Sequence, residues 1–169
     1  MSASVTGIRS FEVHGCHLNM FKLLLIVAFF GVIAAETVKF TPCDETPSCT
    51  ISEVRIHPCN HPDKCKLKKG NTYSISYDYK PNFSADKIKA GFFWAKEPED
   101  IPFPDMYDTD ACTFTACPVV ADKQQTFDYS LRLSKKLPSG QFLFKLKLWD
   151  DADKTKNCCF KTNIELKKK

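Results

Sequence analysis

Apolar and polar residues alternate along most of the chain from residue 37 onward. In NTYSISYDYK (71–80), four large apolar residues share one face, while small polar residues and an aspartate share the other. A period of two is that of a β-strand with one buried face. The same alternation recurs in TVKFTP (37–42), SEVRIHP (52–58), KIKAGFFWAK (87–96), FDYSLRL (127–133), QFLFKLKLWD (141–150) and FKTNIEL (160–166).

These segments predict an all-β fold, an immunoglobulin-like antiparallel sandwich of two sheets. The residues from 36 onward show no long helical period, and they lack the cysteine–tryptophan–cysteine spacing of true immunoglobulin domains. The chain contains 14 phenylalanines, and most of them fall on the faces that would meet between the sheets. Such faces form either a packed core or the lining of an apolar ligand cavity, and the alternation fits both.

The alternation stops at EPEDIPFPDMYDTD (97–110), where prolines prevent the chain from joining a central strand. Acidic residues surround Ile101 and Phe103, so this segment is a polar loop that carries apolar side chains. Two interpretations remain open. The loop is either a solvated connection or a lip over an opening in the fold, since loops on a rigid scaffold often carry the binding site.

The stretch MFKLLLIVAFFGVIAAE (20–36) has the three parts of a secretory signal peptide: a basic start, an apolar run and small residues at its end. It is too short for a membrane span, which needs about 20 apolar residues. The residues before Met20 are polar and unpatterned, so we expect Met20 to be the true start. We therefore predict an upstream extension plus signal peptide over 1–35 and one secreted domain over 36–169.

The secreted domain contains an even number of cysteines, which in a small extracellular domain predicts disulfides. The cysteines are Cys43, Cys49, Cys59, Cys65, Cys112, Cys117, Cys158 and Cys159. Two pairs are local, and each would close a short loop between extended segments: CNHPDKC (59–65) and CTFTAC (112–117).

The adjacent Cys158 and Cys159 begin the last alternating segment. Neighbouring side chains of a strand point to opposite faces, so these two cysteines are expected to bond different partners. Cys43 and Cys49 remain for them. The sequence therefore predicts two bridges between the ends of the domain, without fixing which cysteine bonds which.

Few residues of the domain suggest catalysis or metal binding. His57 and His61 lie around Cys59, and these residue types do bind zinc. No second cluster accompanies them, however, and an oxidising compartment favours a disulfide. Sequence motifs for a serine nucleophile, a zinc protease or a phosphate-binding loop do not occur. We expect no enzyme activity, no cofactor and no metal.

Two features concern the surface of the domain. Asn82 begins the sequon NFS in an expected turn, so it is a predicted glycosylation site in a secreted chain. The basic stretches KCKLKKG (64–70) and LKKK (166–169) favour solvation or contact with anionic membranes. The formal net charge of the whole chain is only +4, so we expect no nucleic-acid partner.

Several motifs occur together in the secreted domain: FTPC (40–43), IHPCNHPDKC (56–65), PFP (102–104), DAC to ACP (110–118) and a last strand that carries cysteine. Together they resemble the ML lipid-recognition family, which includes the Niemann–Pick type C sterol carriers and the group-two mite allergens. The resemblance implies an immunoglobulin-like sandwich whose sheets separate to hold a lipid. It also implies the bridge Cys43–Cys159, with Cys49–Cys158 as an additional bridge.

The resemblance implies a lipid site on the inner faces of the sheets. Phe103 of the PFP motif matches an aromatic residue at the pocket of sterol-binding members, and Leu133 and Leu137 fall near two further pocket positions. The position of Leu137 is aromatic in sterol-binding relatives, so fatty acids and other extended lipids become candidates beside sterols. The predicted lipid-contacting residues are Tyr77, Phe92, Trp94, Phe103, Tyr129, Leu133, Leu137, Phe144 and Leu146.

The implied function is that of a secreted, monomeric carrier that holds a sterol or another hydrophobic lipid and transfers it. Such a carrier makes transient contact with a membrane and acts outside the cell or in the endolysosomal lumen. The alternative is a recognition module, in which bound lipid presents a surface to a receptor in innate immunity or chemosensation. A structural or adhesion domain without a ligand would instead have a filled core.

Overall fold

The structure, a computed structural model, describes residues 36–43 and 48–168. These residues form the ten strands β1 (Thr41–Pro42), β2 (Cys49–His57), β3 (Cys65–Lys68), β4 (Thr72–Pro81), β5 (Ile88–Trp94), β6 (Ile101–Pro102), β7 (Thr109–Asp110), β8 (Gln125–Arg132), β9 (Gly140–Asp150) and β10 (Asn157–Lys167), plus a 3-10 turn at Ala111–Thr113. Within this part of the chain, no helix is long and apolar enough to cross a membrane. The predicted leader, residues 1–35, lies outside the described residues.

The strands form two sheets, which confirms the predicted all-β sandwich. The larger sheet has seven strands in the order β1-β10-β9-β5-β6, with β3 beside β10 and β7 beside β5. The smaller sheet has the order β2-β4-β8. Neighbouring strands run antiparallel except β3, which pairs with β10 in parallel.

The alternation of the sequence explains which faces of the sheets meet. In β4, every second residue from Tyr73 to Pro81 is buried, and in β9 every second residue from Phe144 to Leu148 is buried. Because side chains alternate between the faces of a strand, each sheet directs one apolar face inward. Both sheets contribute to a single hydrophobic core.

Short segments cover the outer edges of the long strands. In the larger sheet, β1 and β3 lie along β10, while β6 and β7 lie along β5. In the smaller sheet, the segment before β1 lies beside β2, where the Val38 amide donates to the Val54 carbonyl at 2.8 Å. On the other edge, the Asp128 amide of β8 donates to the Phe114 carbonyl at 2.9 Å.

Four disulfides form in the predicted pairing. They are Cys43–Cys159, Cys49–Cys158, Cys59–Cys65 and Cys112–Cys117. Cys49 lies in β2 and Cys158 in β10, so this bridge joins the smaller sheet to the larger one. The adjacent cysteines of β10 thus bond different partners, as expected from the alternation of side chains along a strand.

Three segments differ in detail from the predicted strands. TVKFTP forms only β1 at its end, with one isolated bridge between Thr37 and Arg55. The segment CKLK, interpreted as part of a basic patch, forms β3. It was not predicted as a strand because four residues are too few for their alternation to be recognised. The loop 97–110 stays out of the sheet centre, as its prolines predict, but supplies β6 and β7 beside β5.

Candidate functional site

The interior between the sheets is dominated by aromatic side chains around Phe92 of β5. Its ring centroid lies 5.2 Å from that of Phe144 on β9, 5.1 Å from Tyr129 on β8 and 6.5 Å from Phe103. These pairs are edge-to-face, a favourable arrangement for aromatic rings. Since β8 belongs to the smaller sheet and the other strands to the larger one, the ring contacts cross the space between the sheets.

This aromatic cluster reaches the surface at Trp94, the last residue of β5. The Trp94 ring lies 4.3 Å from Phe103 and 4.7 Å from Phe142, measured between centroids. Trp94 and Phe142 are half-buried, whereas Phe103 and Phe144 are buried. An apolar path therefore connects the solvent with the interior at this end of the sandwich.

A second group of rings surrounds Tyr77 of β4. Its ring centroid lies 5.1 Å from Phe127 on β8 and 5.2 Å from Phe160 on β10 of the opposite sheet. Phe114 connects the two groups, at 5.8 Å from Phe127 and 5.0 Å from Tyr129. The aromatic side chains consequently form one continuous group along the interior.

All nine residues predicted to contact lipid belong to the core or pack against it. Six are buried: Tyr77, Phe92, Phe103, Leu133, Phe144 and Leu146. Three are partly buried: Trp94, Tyr129 and Leu137. The structure brings these side chains together in one core, and lipid contact at each of them stays a prediction.

Several ring-bearing residues of the interior were not among the predicted contacts, and those that join the two ring groups are Phe114, Phe127, Phe142 and Phe160. The last three lie on inward faces of predicted strands, so the period of two was the signal that could have found them. Phe114 directly follows the 3-10 turn Ala111–Thr113 and lies inside the loop closed by Cys112 and Cys117. No strand period exists there, and its ring contacts emerge only from the folded chain.

The PFP loop is held against β5 by backbone hydrogen bonds. The Phe103 amide donates to the Phe92 carbonyl at 2.8 Å, and the Phe92 amide donates to the Met106 carbonyl at 2.8 Å. The Lys145 ammonium also donates to a carboxylate oxygen of Asp100 at 2.6 Å. Since Phe103 is buried, these contacts favour the interpretation of the loop as a lip over that of a solvated connection.

Rings fill the interior in this structure, and both Tyr77 and Phe92 are 0% exposed. A groove of about 610 Å³ lies elsewhere, lined by residues that include Phe40, Leu143 and Lys161. Leu143 and Lys161 alternate with inward-facing residues of β9 and β10, so the groove lies on the outer side of the larger sheet. A ligand that enters the interior must therefore move rings or separate the sheets.

Two tyrosines on the inner face of β4 differ in their hydrogen bonds. The Tyr79 hydroxyl lies 3.0 Å from the Thr115 hydroxyl and donates to the Gln125 side-chain carbonyl at 3.2 Å. The Tyr77 hydroxyl has no hydrogen-bond partner. Burial raises the pKa of Tyr79 above its ordinary value and raises the pKa of Tyr77 well above it.

The two cysteines considered as zinc ligands form a disulfide instead. Cys59 and Cys65 are bonded to each other, so their sulfurs are not available as ligands beside His57 and His61. Across residues 36–43 and 48–168, no group of three or more histidine, cysteine, aspartate or glutamate side chains is arranged to hold a metal ion.

Comparison with known proteins assigns the family. Residues 37–166 match the family model of the ML domain. The chain belongs to the ML-domain family, and the resemblance seen in its motifs is confirmed.

Two relatives and one solved structure illustrate the similarity. The chain is 42% identical over 148 residues to a protein of Manduca sexta named "MD-2-related lipid-recognition protein", and the aligned region covers 86% of this chain and 96% of the relative. It is 28% identical over 143 residues to the "NPC intracellular cholesterol transporter 2" of Bos taurus, covering 84% and 93%. The crystal structure of a Niemann-Pick type C2 protein from Japanese carpenter ant superposes with a TM-score of 0.67 at 19% identity, covering 76% of this chain and 99% of that chain. This last comparison shows the shared fold.

Proposed function

We propose that the protein is a secreted carrier that binds a sterol or another hydrophobic lipid between its two sheets and transfers it to a membrane or acceptor. The observation that carries this proposal is the continuous aromatic interior. Both sheets contribute to it, and it reaches the solvent at Trp94. The names of the Manduca sexta and Bos taurus relatives support the same function.

Binding in such a carrier is driven by the removal of apolar lipid surface from water, at about 25 cal/mol per Å². Part of this free energy offsets the cost of moving aromatic rings and separating the sheets. The partly exposed Trp94, Phe142 and Leu137 are the side chains that a lipid entering from solvent would meet first. Because no covalent bond changes in this process, the proposal requires no catalytic residue.

Secretion fits the covalent structure of the domain. Disulfides persist in oxidising compartments, and eight described cysteines are paired. Asn82 is exposed in the bend after β4, as glycosylation requires. We propose that the protein acts as a glycosylated monomer outside the cell or in the endolysosomal lumen.

Native mass spectrometry of the protein secreted from eukaryotic cells tests the proposal. We expect a mass above that of the bare glycoprotein, and extraction of the bound lipid identifies it as a sterol, a fatty acid or another lipid. A mass equal to that of the bare glycoprotein, together with no uptake from offered cholesterol or hexadecanoic acid, would contradict the carrier function.

A pair of variants tests the position of the site. Phe144→Asp places a carboxylate between the sheets, where an unpaired charge is strongly unfavourable, and we expect it to abolish lipid uptake. Leu143→Asp is the matched control, since Leu143 is the preceding residue of β9 and is 37% exposed. Circular dichroism identifies folded variants. Uptake that persists in a folded Phe144→Asp variant, or that is lost in Leu143→Asp instead, would mean that the lipid binds outside the interior.

A recognition module is the second candidate, favoured by exposed apolar side chains on the lip. Ile101 is 47% exposed and Tyr107 is 54% exposed, although both are large apolar residues. Loops of this kind often contact partners. A carrier is expected to release lipid to protein-free vesicles, whereas a recognition module is expected to retain it until a defined receptor is added.

A further inference from the structure

Tyr77 presents an unusual polar group to the interior of the sandwich. It lies in the middle of β4, the central strand of the smaller sheet, and its side chain is fully buried. Its hydroxyl oxygen has no hydrogen-bond partner. Buried hydroxyl groups in folded proteins are nearly always paired, because burial removes their hydrogen bonds to water and the loss costs free energy unless another partner replaces them.

The neighbouring positions show that β4 is able to pair its tyrosine hydroxyls. The Tyr79 hydroxyl contacts Thr115 and Gln125, and the Tyr73 hydroxyl accepts from the Lys68 amide at 2.6 Å. Among the described residues, one other buried side-chain nitrogen or oxygen lacks a hydrogen-bond partner, namely the Trp149 indole nitrogen. Trp149 packs over Gly91 on the same side of the sheet as the half-buried Phe93, since a Cβ on Gly91 would lie 3.3 Å from the Trp149 ring and 2.8 Å from the Phe93 ring. This is the outer side of β5, away from the proposed lipid site.

The side chains around Tyr77 are mostly apolar, and its tyrosine neighbour Tyr79, with a ring centroid 5.5 Å away, already has its hydroxyl paired. Within the smaller sheet Tyr77 is paired with Val54 on β2 and Phe127 on β8. From the opposite sheet, Phe160 contacts its ring edge-on. The Tyr77 side chain therefore lies between the two sheets, which is where the proposed ligand binds.

Burial raises the pKa of Tyr77 well above its ordinary value, so the phenol stays protonated. A protonated phenol donates one hydrogen bond and also accepts. A hydrocarbon end of a ligand would leave this group unpaired, whereas a hydroxyl or carbonyl oxygen would pair with it.

We propose that Tyr77 determines ligand specificity by hydrogen-bonding an oxygen-bearing group at the buried end of the lipid. The preferred ligands are lipids whose deeply inserted end carries a hydroxyl or carbonyl group. This inference rests on the proposed lipid site between the sheets and adds the chemical class of the ligand.

Matched ligand pairs test the proposal. The pairs are hexadecanoic acid with 16-hydroxyhexadecanoic acid, and cholesterol with 25-hydroxycholesterol, each differing by one hydroxyl. We expect the full-length secreted protein to bind the hydroxylated member of at least one pair about tenfold more tightly, measured by competition against a fluorescent fatty acid. Tyr77→Phe is expected to bring this ratio close to one, and Tyr79→Phe, which alters a paired hydroxyl, is expected to retain it.

A measurement without ligand separates the two tyrosines further. Tyr77→Phe removes a hydroxyl that makes no bond, so we expect no loss of resistance to urea, whereas Tyr79→Phe should lower the urea midpoint. If Tyr77→Phe lowers the midpoint as much as Tyr79→Phe does, the Tyr77 hydroxyl has a partner within the free protein and the inference fails.

The binding outcomes separate this inference from the proposed function. Binding of all four lipids without a preference, or with a preference that survives Tyr77→Phe, overturns the role of Tyr77 and leaves the carrier function intact. Failure of the wild-type protein to bind any of them overturns the carrier function as well.

Discussion

Asp78 is the residue with the most strongly bonded carboxylate of the smaller sheet. On the outer face of β4, its two oxygens accept from the Arg55 guanidinium at 2.7 and 2.9 Å, and one also accepts from the Thr126 hydroxyl at 2.6 Å. These hydrogen bonds favour the ionised form, and they lower the pKa of Asp78 to about 2. One side chain thereby connects all three strands of the sheet, β2, β4 and β8.

The Asp78 carboxylate makes stability dependent on pH in a defined range. Its pKa is lower in the folded protein than in the unfolded chain, so its contribution is present above about pH 4 and is lost as the pH falls through about 2. We predict that Asp78→Asn lowers the free energy of unfolding by roughly 2 kcal/mol at pH 7 and that the difference shrinks below pH 4. Urea unfolding at several pH values measures it.

Asp122→Asn provides the control for this prediction. Asp122 pairs with Lys80 at 3.5 Å, and both side chains are at least half exposed. Exposed pairs contribute little, so we expect a change below about 0.5 kcal/mol. A difference between wild type and Asp78→Asn that stays constant from pH 7 to pH 2 would show that the Asp78 charge is not its cause.

In the loop 97–110, the lip over the aromatic interior, one ion pair joins the loop to the larger sheet. Asp100 accepts from Lys145 of β9 at 2.6 Å, and both side chains are partly buried. We predict that Asp100→Asn speeds amide hydrogen exchange at Phe103 and Met106 by about two- to fivefold, because opening of the loop becomes easier. Exchange measured by NMR or mass spectrometry tests this, with Glu99→Gln as the control on an exposed residue of the same loop.

Unchanged exchange in Asp100→Asn would mean that the backbone hydrogen bonds between the loop and β5 hold the lip without the ion pair. Faster exchange at every amide of the domain would indicate global destabilisation rather than a local effect. Glu99→Gln is expected to leave the exchange rates unchanged.

Long strands were predictable from the sequence, and short ones were not. β4 alternates over all of its ten residues and β9 over most of its eleven, so their inward faces could be assigned directly. β6 and β7 have two residues each, and their pairing with β5 depends on tertiary contacts that no local period records. The alternation of the sequence assigns a side chain to a face of its strand, but it does not give the distance between the two sheets. It therefore identified the inward-facing rings without showing that they fill the interior.

At the scale of the molecule, the disulfides differ in what they constrain. Cys49–Cys158 joins the two sheets across 109 residues, whereas Cys59–Cys65 closes a separation of only 6. In the chain-entropy model, a bridge taken by itself contributes about 2–3 kcal/mol for the short loop and about 4–5 kcal/mol for the long one. Cys43–Cys159 closes nearly the same long loop as Cys49–Cys158, so either of these two bridges keeps most of the constraint when the other is removed.

We predict that replacing both Cys49 and Cys158 by serine lowers the free energy of unfolding by about 2–3 kcal/mol, as much as replacing both Cys59 and Cys65, because Cys43–Cys159 still closes the long loop. Guanidinium unfolding under non-reducing conditions measures both double variants against the wild type. A clearly larger loss in the variant without Cys49–Cys158 would indicate that packing at that bridge, rather than loop closure, determines its effect. The comparison keeps the number of serines the same.

The covered strand edges have a consequence for aggregation. A free strand edge is a template on which a second chain adds its own strand, and such addition is the first step of amyloid growth. Here the edges of the larger sheet end in segments of two to four residues, and β1 and β6 each contain a proline, which lacks an amide hydrogen. A protein that opens an aromatic interior to solvent transiently exposes surface on which fibrils nucleate. With its edges blocked in this way, the domain offers a growing fibril only short segments to extend.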